Sequence, residues 1–201
     1  KEVDVLFINP PSAFGAYTGT RVNAAVQIYP LSSFMSLSAV LKKAGFKPAV
    51  LDLGIEKEPY RILDKTLDEI RPRFIGLTST SPLFFEVVDI AKRVREKLGS
   101  DVKIVYGGPH ATAMPKDSLE KSDMDIVVTS EGEETIVEIC QGKKLADIKG
   151  IYYKENGKIL STPSRPLIKD FNSLPFPDIS VYDVKRYKAS RLVSRGTPSI
   201  N

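Results

Sequence analysis

Five short stretches of this 201-residue chain carry side chains suited to binding or chemistry, and each follows an apolar run. They are Asn9-Pro10-Pro11 with the Gly- and Tyr-containing residues after it as far as Gly19, Asp52-Leu53-Gly54, Thr78-Ser79-Thr80-Ser81, Gly107-Gly108-Pro109-His110 with Ala111 and Thr112, and Ser130-Glu131-Gly132-Glu133-Glu134-Thr135. Glycines let a backbone come close to a bulky ligand, and hydroxyls both donate and accept at its polar edges. A helix start behind such a loop favours an anionic group such as phosphate. Together the stretches describe a groove for a large nucleotide-like cofactor better than a hydrolytic centre. Each also has a plainer reading. Gly107-Gly108 can be a tight turn, Thr78 to Ser81 can cap a helix opening at Pro82, and any helix start favours acids such as Glu131, Glu133 and Glu134.

The rest of the inventory excludes other chemistries. One His and one Cys cannot by themselves build a zinc site or an iron–sulfur cluster. His110 has no carboxylate, Ser or Cys partner near it in sequence and reads as a loop histidine making one hydrogen bond. Cys140, in an apolar helix, reads as a small core residue. Asp4 and Asp52 resemble the acidic pocket of a receiver domain, but no Lys follows a strand where such a domain holds its phosphoryl group. The Walker phosphate loop and Gly-x-Gly-x-x-Gly are both absent. A single Cys forms no internal disulfide, which points to a reducing cytoplasm. The net charge of +4 is spread over scattered basic residues, so nucleic acid is not an expected partner. No stretch approaches the roughly 18 consecutive apolar residues of a membrane span, and no signal segment opens the chain.

The elements that must position these loops alternate as far as about residue 142. Strands are expected over 3–8, 48–53, 74–78, 102–106 and 125–129, and helices over 31–44, 60–70, 82–98 and 133–140. The strands are continuous apolar runs, as burial on both faces of a parallel sheet requires. The expected fold class is α/β: a doubly wound five-stranded parallel sheet of flavodoxin-like order, binding its ligand outside the carboxyl ends of the strands. Beyond it, 150–153 and 158–161 flank Glu155-Asn156-Gly157, a strong hairpin signal. Pro163, Pro166, Pro175 and Pro177 then mark an extended linker. The expected division is 1–142 for the binding domain and 143–201 for a C-terminal β-hairpin and Pro-rich linker.

Six motifs stand in a characteristic order: Leu6-Phe7-Ile8-Asn9-Pro10-Pro11, Ile75-Gly76-Leu77-Thr78-Ser79-Thr80, Val105-Tyr106-Gly107-Gly108-Pro109-His110-Ala111-Thr112, Asp125-Ile126-Val127-Val128 running into Ser130 to Thr135, Ile148-Lys149-Gly150-Ile151-Tyr152-Tyr153, and Leu174-Pro175-Phe176-Pro177-Asp178. In these the chain resembles the amino-terminal cobalamin-binding domain of cobalamin-dependent radical SAM proteins, which include methyltransferases and anaerobic magnesium-protoporphyrin monomethyl ester cyclase-like enzymes. The resemblance implies a Rossmann-type domain with cobalamin over the carboxyl edge of the sheet and its nucleotide tail threaded into the core. Asn9, Pro10 and Pro11 would open the loop 9–20 under the corrin. Thr78, Ser79 and Thr80 would line the tail, and Gly107 and Gly108, followed by Pro109 and His110, would let it pass close to the backbone. Glu131, Gly132 and Thr135 would lie near its ribose-phosphate end.

Two departures carry their own implications. Other cobalamin domains place Asp-x-His-x-x-Gly after the first strand, with the His on cobalt. Asn9 to Gly15 holds no histidine, which implies cobalt without a protein histidine beneath it, and His110 is not assigned as an axial ligand. Arg195-Gly196-Thr197-Pro198 stands where the family has Arg-Gly-Cys-Pro, so Thr197 takes the place of the first cluster cysteine. The resemblance thus implies a cobalamin-binding module that is not catalytic alone, joined in cis to a radical SAM barrel holding S-adenosylmethionine and a [4Fe-4S] cluster. Two rival readings come from other classes: a cofactor-free signalling or protein-interaction domain, and a small nucleotide-dependent transferase using His110 as base. A bulky residue at Gly108 is expected to abolish cofactor binding with the fold kept.

Overall fold

The apolar runs become short strands because each is bounded by residues that end a ladder. Pro10 closes β1 (Val5–Asn9), Pro48 opens β2 (Pro48–Asp52), and Gly107 closes β4 (Lys103–Gly107), with β3 (Phe74–Thr78) between them in the sheet. A computed structural model describes residues 2–11 and 29–187. Residues 12–28, where a loop is expected from sequence, and the segment carrying Thr197 lie outside the described residues. The helices are α1 (Ser32–Lys43), α2 (Pro59–Glu69), α3 (Phe84–Leu98), α4 (Pro109–Ala113), α5 (Pro115–Glu120) and α6 (Glu133–Cys140); the last strands are β5 (Ile126–Val128), β6 (Ile151–Glu155) and β7 (Lys158–Ser161).

The seven strands of the described residues form one mixed sheet in the order β2-β1-β3-β4-β5-β6-β7. The first five are mutually parallel, and β6 and β7 are added antiparallel. The expected five-stranded parallel sheet is therefore too small. The strands around Asn156-Gly157 continue the sheet, with Ile126 opposite Tyr153 and Val128 opposite Ile151. The physical reason lies in β5, whose three residues are all buried and would otherwise form an apolar edge with unpaired backbone groups. The outer strand β7 is short, mostly exposed, and begins with Lys158. A second difference lies between β4 and β5. The sequence reads as a loop over 107–112 with no element assigned after it, whereas two brief helices form, each with proline in its first turn, where the missing N–H costs little.

Alternation along the strands divides the core in two. Leu6, Ile8, Ile75, Leu77, Ile104 and Tyr106 pack with Leu63 and Leu67 of α2 and Ile90 and Val94 of α3. Phe7, Val105 and Val128 face the other way, toward Phe34 and Leu41 of α1 and Ile136 and Ile139 of α6. Each such side chain contributes about 1.5–3 kcal/mol by leaving water.

Residues 163–187 contain no strand or α-helix, only 3-10 turns such as Ile179–Val181. They are nonetheless docked along the α1/α6 face. Arg165 pairs with Glu134 at 2.7 Å and with Glu138, and the Ile168 N–H donates to Glu131 Oε2 at 2.6 Å. The Asp178 N–H donates to the Met35 carbonyl at 3.0 Å, and Lys42 pairs with Asp178 at 2.5 Å. Tyr182 Oη accepts from the Leu31 N–H at 3.2 Å, and Tyr187 Oη donates to Asp52 Oδ2 at 2.6 Å. The expected linker is a strap.

Candidate functional site

Three facing residues create the site. Phe7, Gly76 and Val105 stand side by side across β1, β3 and β4, and the middle one has no side chain. Above this row, α1 and α6 do not close completely. A cleft of about 240 Å³ remains, walled by Ser33, Phe34 and Leu37 of α1 and Glu133 and Ile136 of α6, and floored by Phe7, Gly76, Val105 and Val128. Its rim is the carboxyl edge of the sheet: Thr78, Gly107, Gly108, Pro109, Ser130, Glu131 and Gly132. From Thr78 to Gly76 the cleft descends two strand residues, about 7 Å. Phe7 stacks on Phe34 with ring centroids 4.9 Å apart. A Cβ on Gly76 would stand 2.3 Å from the Phe7 ring, so the ring occupies the place of the absent side chain. Glycine within a strand commonly marks such a close approach.

The rim glycines are not equivalent. Gly108 has φ of +100°, and a Cβ there would lie 2.3 Å from Thr78 Oγ1. Any bulky residue at Gly108 would strain the backbone, so the expectation of a kept fold does not hold at that position. A Cβ on Gly107 would meet only the Val128 carbonyl, at 3.9 Å, and one on Gly132 would meet Leu37 at 3.5 Å. Ser130 holds a left-handed φ of 63°, which costs a non-glycine residue about 1–2 kcal/mol. Its N–H donates to Thr112 Oγ1 at 2.9 Å, and that hydroxyl donates to the Gly108 carbonyl at 3.1 Å. The loops after β4 and β5 are thereby pinned to each other.

Of the residues singled out from sequence, Thr78, Gly107, Gly108, Pro109, Glu131 and Gly132 come together on the cleft. Ser79 points to the opposite face, as strand alternation requires, and shares a 2.7 Å hydrogen bond with the buried Tyr106 hydroxyl. Thr80 precedes the turn Ser81–Leu83 and is exposed. His110 lies on α4, with Nδ1 3.0 Å from Ser81 Oγ, its ring stacked on Phe84 at 4.3 Å, and Nε2 buried without a partner. It belongs to the α2/α3 side of the sheet, and its serine partner is distant in sequence. Thr135 is wholly buried on α6, its hydroxyl unpaired and outside the cleft lining. Asn9 donates to Asp52 Oδ1 at 2.8 Å, a carboxylate that also accepts from the Gly54 N–H and from Tyr187. Pro10 and Pro11 stand at the edge of the described residues.

A family model described as the B12 binding domain matches residues 18–140, which take in the six α-helices of the described residues and every cleft residue except Phe7. The chain belongs to the B12-binding domain family. Among its relatives, an uncharacterised methyltransferase of Pyrococcus horikoshii is 29% identical over 98% of this chain and 44% of its own length. The anaerobic magnesium-protoporphyrin IX monomethyl ester cyclase of Cereibacter sphaeroides is 27% identical over 75% of this chain and 26% of its own. The chain thus spans less than half the length of these relatives. The radical S-adenosylmethionine methyltransferase TsrM of Kitasatospora setae, solved with cobalamin and a [4Fe-4S] cluster bound, shares the fold with a TM-score of 0.67 at 20% identity, over 87% of this chain and 31% of that one. The cobalamin-dependent radical enzyme OxsB, solved with aqua-cobalamin and S-adenosylmethionine, has a TM-score of 0.67 at 20% identity, over 90% and 25% of the two chains.

In this B12-binding domain the cleft is apolar at its floor, with backbone and hydroxyl groups at its rim. Among the described residues no helix is long and apolar enough to cross a membrane. The site residues not singled out from sequence are chiefly apolar: Phe7, Phe34, Leu37, Val105, Val128 and Ile136. In sequence they are of the same kind as core residues. Gly76 alone gave a signal, as a lone glycine inside an apolar strand.

Proposed function

We propose that this chain is the cobalamin-holding module of a radical SAM protein of methyltransferase or cyclase type and does not turn over substrate by itself. The observation that carries the reading is the Gly76-floored cleft opening at the carboxyl edge. In this reading residues 1–142 hold the cofactor, and residues 143–201 lead on to a radical SAM domain that supplies S-adenosylmethionine and the cluster. Bound, the corrin supplies a cobalt centre able to carry a methyl group. The chain's own residues position it. The stacked Phe7 and Phe34 rings present an apolar surface to the base of the tail, and Gly107 and Gly108 admit its stem close to the backbone. Thr78 offers a hydroxyl at the rim. The start of α6 offers N–H groups, but Glu133 and Glu134 already lie in that first turn, so the helix end supplies hydrogen bonds more than charge. His110 is the only histidine, and Ser81 and Phe84 hold it on the far side of the sheet from the cleft, so no histidine of this chain would be placed to ligate the cobalt.

The test is to load the purified chain with hydroxocobalamin, pass it through gel filtration and record the visible spectrum. The chain is expected to retain corrin absorbance with a spectrum unlike that of a histidine-ligated reference, and His110→Ala is expected to leave that spectrum unchanged. Gly107→Leu, whose Cβ has open space, is expected to weaken binding at least tenfold with unaltered circular dichroism. A folded chain that elutes colourless would overturn the reading.

A further inference from the structure

The floor of the cleft is hydrocarbon throughout. Phe7, Phe34, Leu37, Val105 and Ile136 meet around Gly76, and the strand backbone beneath them is engaged in the parallel ladders of β1, β3 and β4. The polar groups of the site stand at the rim, about 7 Å above, or in the first turns of the two wall helices, Ser33 of α1 and Glu133 of α6. Ser38 and Thr135 carry buried hydroxyls without partners on the same two helices, but neither lines the cleft. A base seated at the floor therefore meets no donor and no acceptor. The volume of about 240 Å³ accommodates a bicyclic base of either common type, so polarity decides and size does not. Resting on the cofactor reading above, we infer that the cleft selects among cobamides by their lower base, preferring a benzimidazole-type base over a purine. The outer ring of a benzimidazole is hydrocarbon. A purine carries ring nitrogens on both rings, and adenine adds an exocyclic amine, which would be stripped of water and left unpaired. Apolar pockets discriminate against an added polar group by up to about a hundredfold, so the expected preference is between tenfold and a hundredfold.

The experiment measures the affinity of the full chain for three probes by equilibrium dialysis: cobalamin, the adenine-based cobamide, and cobinamide, which lacks a base. Cobalamin is expected to bind at least tenfold more tightly than either of the others. Val105→Thr keeps the shape of the floor and adds a hydroxyl, and it is expected to narrow the ratio of cobalamin to adenine cobamide severalfold. Should that variant fail to fold, Val128→Thr makes the same change nearer the rim. Equal affinities, a preference for the adenine form, or a ratio that the added hydroxyl leaves unchanged would overturn the inference and leave the cofactor reading intact. Cobinamide binding as tightly as cobalamin would overturn it too, because the base would then not reach the floor. Retention of none of the three would overturn the cofactor reading, and the inference with it.

Discussion

At Gly76 the missing side chain does two things, because it admits the Phe7 ring and it keeps the cleft open. A Cβ only 2.3 Å from that ring must push Phe7 toward Phe34, so Gly76→Ala is expected to destabilise the fold by about 1–3 kcal/mol. Thermal unfolding reads this as a fall of roughly 2–4 °C per kcal/mol. Cys140 tests the second core independently. It is 1% exposed, and burial pushes its thiol up to about 12, so the reactive thiolate is almost absent at neutral pH. It is expected to resist a disulfide reagent at pH 8 in the native chain and to react fully in denaturant. Native reactivity would show that the α6 side of the sheet opens readily. These residues also mark how far sequence reaches. A glycine inside an apolar strand is visible, and so are the glycines and hydroxyls of the rim. The floor is not, because Val105 or Ile136 on a cleft is the same residue type as Val94 or Ile90 in a core.

At the scale of elements, the strap and α1 depend on each other. The N-cap position of α1 is Leu31, which has no side-chain cap, and the helix has no acid in its first turn; the Tyr182 hydroxyl takes up the orphan Leu31 N–H instead. Tyr187→Phe would leave the buried Asp52 carboxylate short of one donor, at a cost of about 1–3 kcal/mol. It is expected to speed tryptic cleavage within the strap, at Lys169 or Lys185, relative to the rest of the chain. Acid is expected to act at the same place. Glu138 and Asp178 are both partly desolvated, which alone would raise them, but Lys143 and Arg165 at Glu138, and Lys42 and Ser180 at Asp178, hold their carboxyls below the ordinary values of 4.5 and 3.8. A depressed carboxyl stabilises the fold fully above its unfolded value and loses that contribution as pH falls through its folded one. Strap protection against an acid-active protease should therefore be constant above about pH 5 and decline below pH 4, and a decline beginning near neutrality would contradict these pairings. Sequence marks the strap by its prolines but hides the docking, since Tyr182 and Tyr187 meet partners more than a hundred residues earlier. The brief helices α4 and α5 escape for another reason, as five and six residues hold less than two turns of periodicity.

Across the whole molecule, the two antiparallel strands complete the sheet. Ile151 and Tyr153 of β6 are buried with Ile126 and Val128, so a chain cut after residue 142 is expected to lose stability, with a lower and broader thermal transition than residues 1–187. An unchanged transition would show that β5 tolerates being an edge. Alternating βα units were legible along the chain, whereas the joining of β6 to β5 was not, because a hairpin signal fixes the pairing of its own strands and says nothing of the third strand that receives them. The number of added strands has a directional consequence. β6 runs away from the rim and β7 runs back, so an even count returns the backbone to the edge at which β5 ends. One added strand would have delivered it to the opposite pole. From that return the strap crosses to Asp52 at the end of β2, the other flank of the seven-stranded sheet, a traverse of about 29 Å at the usual strand spacing. Parity thus puts both ends of the strap on the hemisphere of the cleft mouth, and whatever is tethered after Tyr187 sets out from beside the opening.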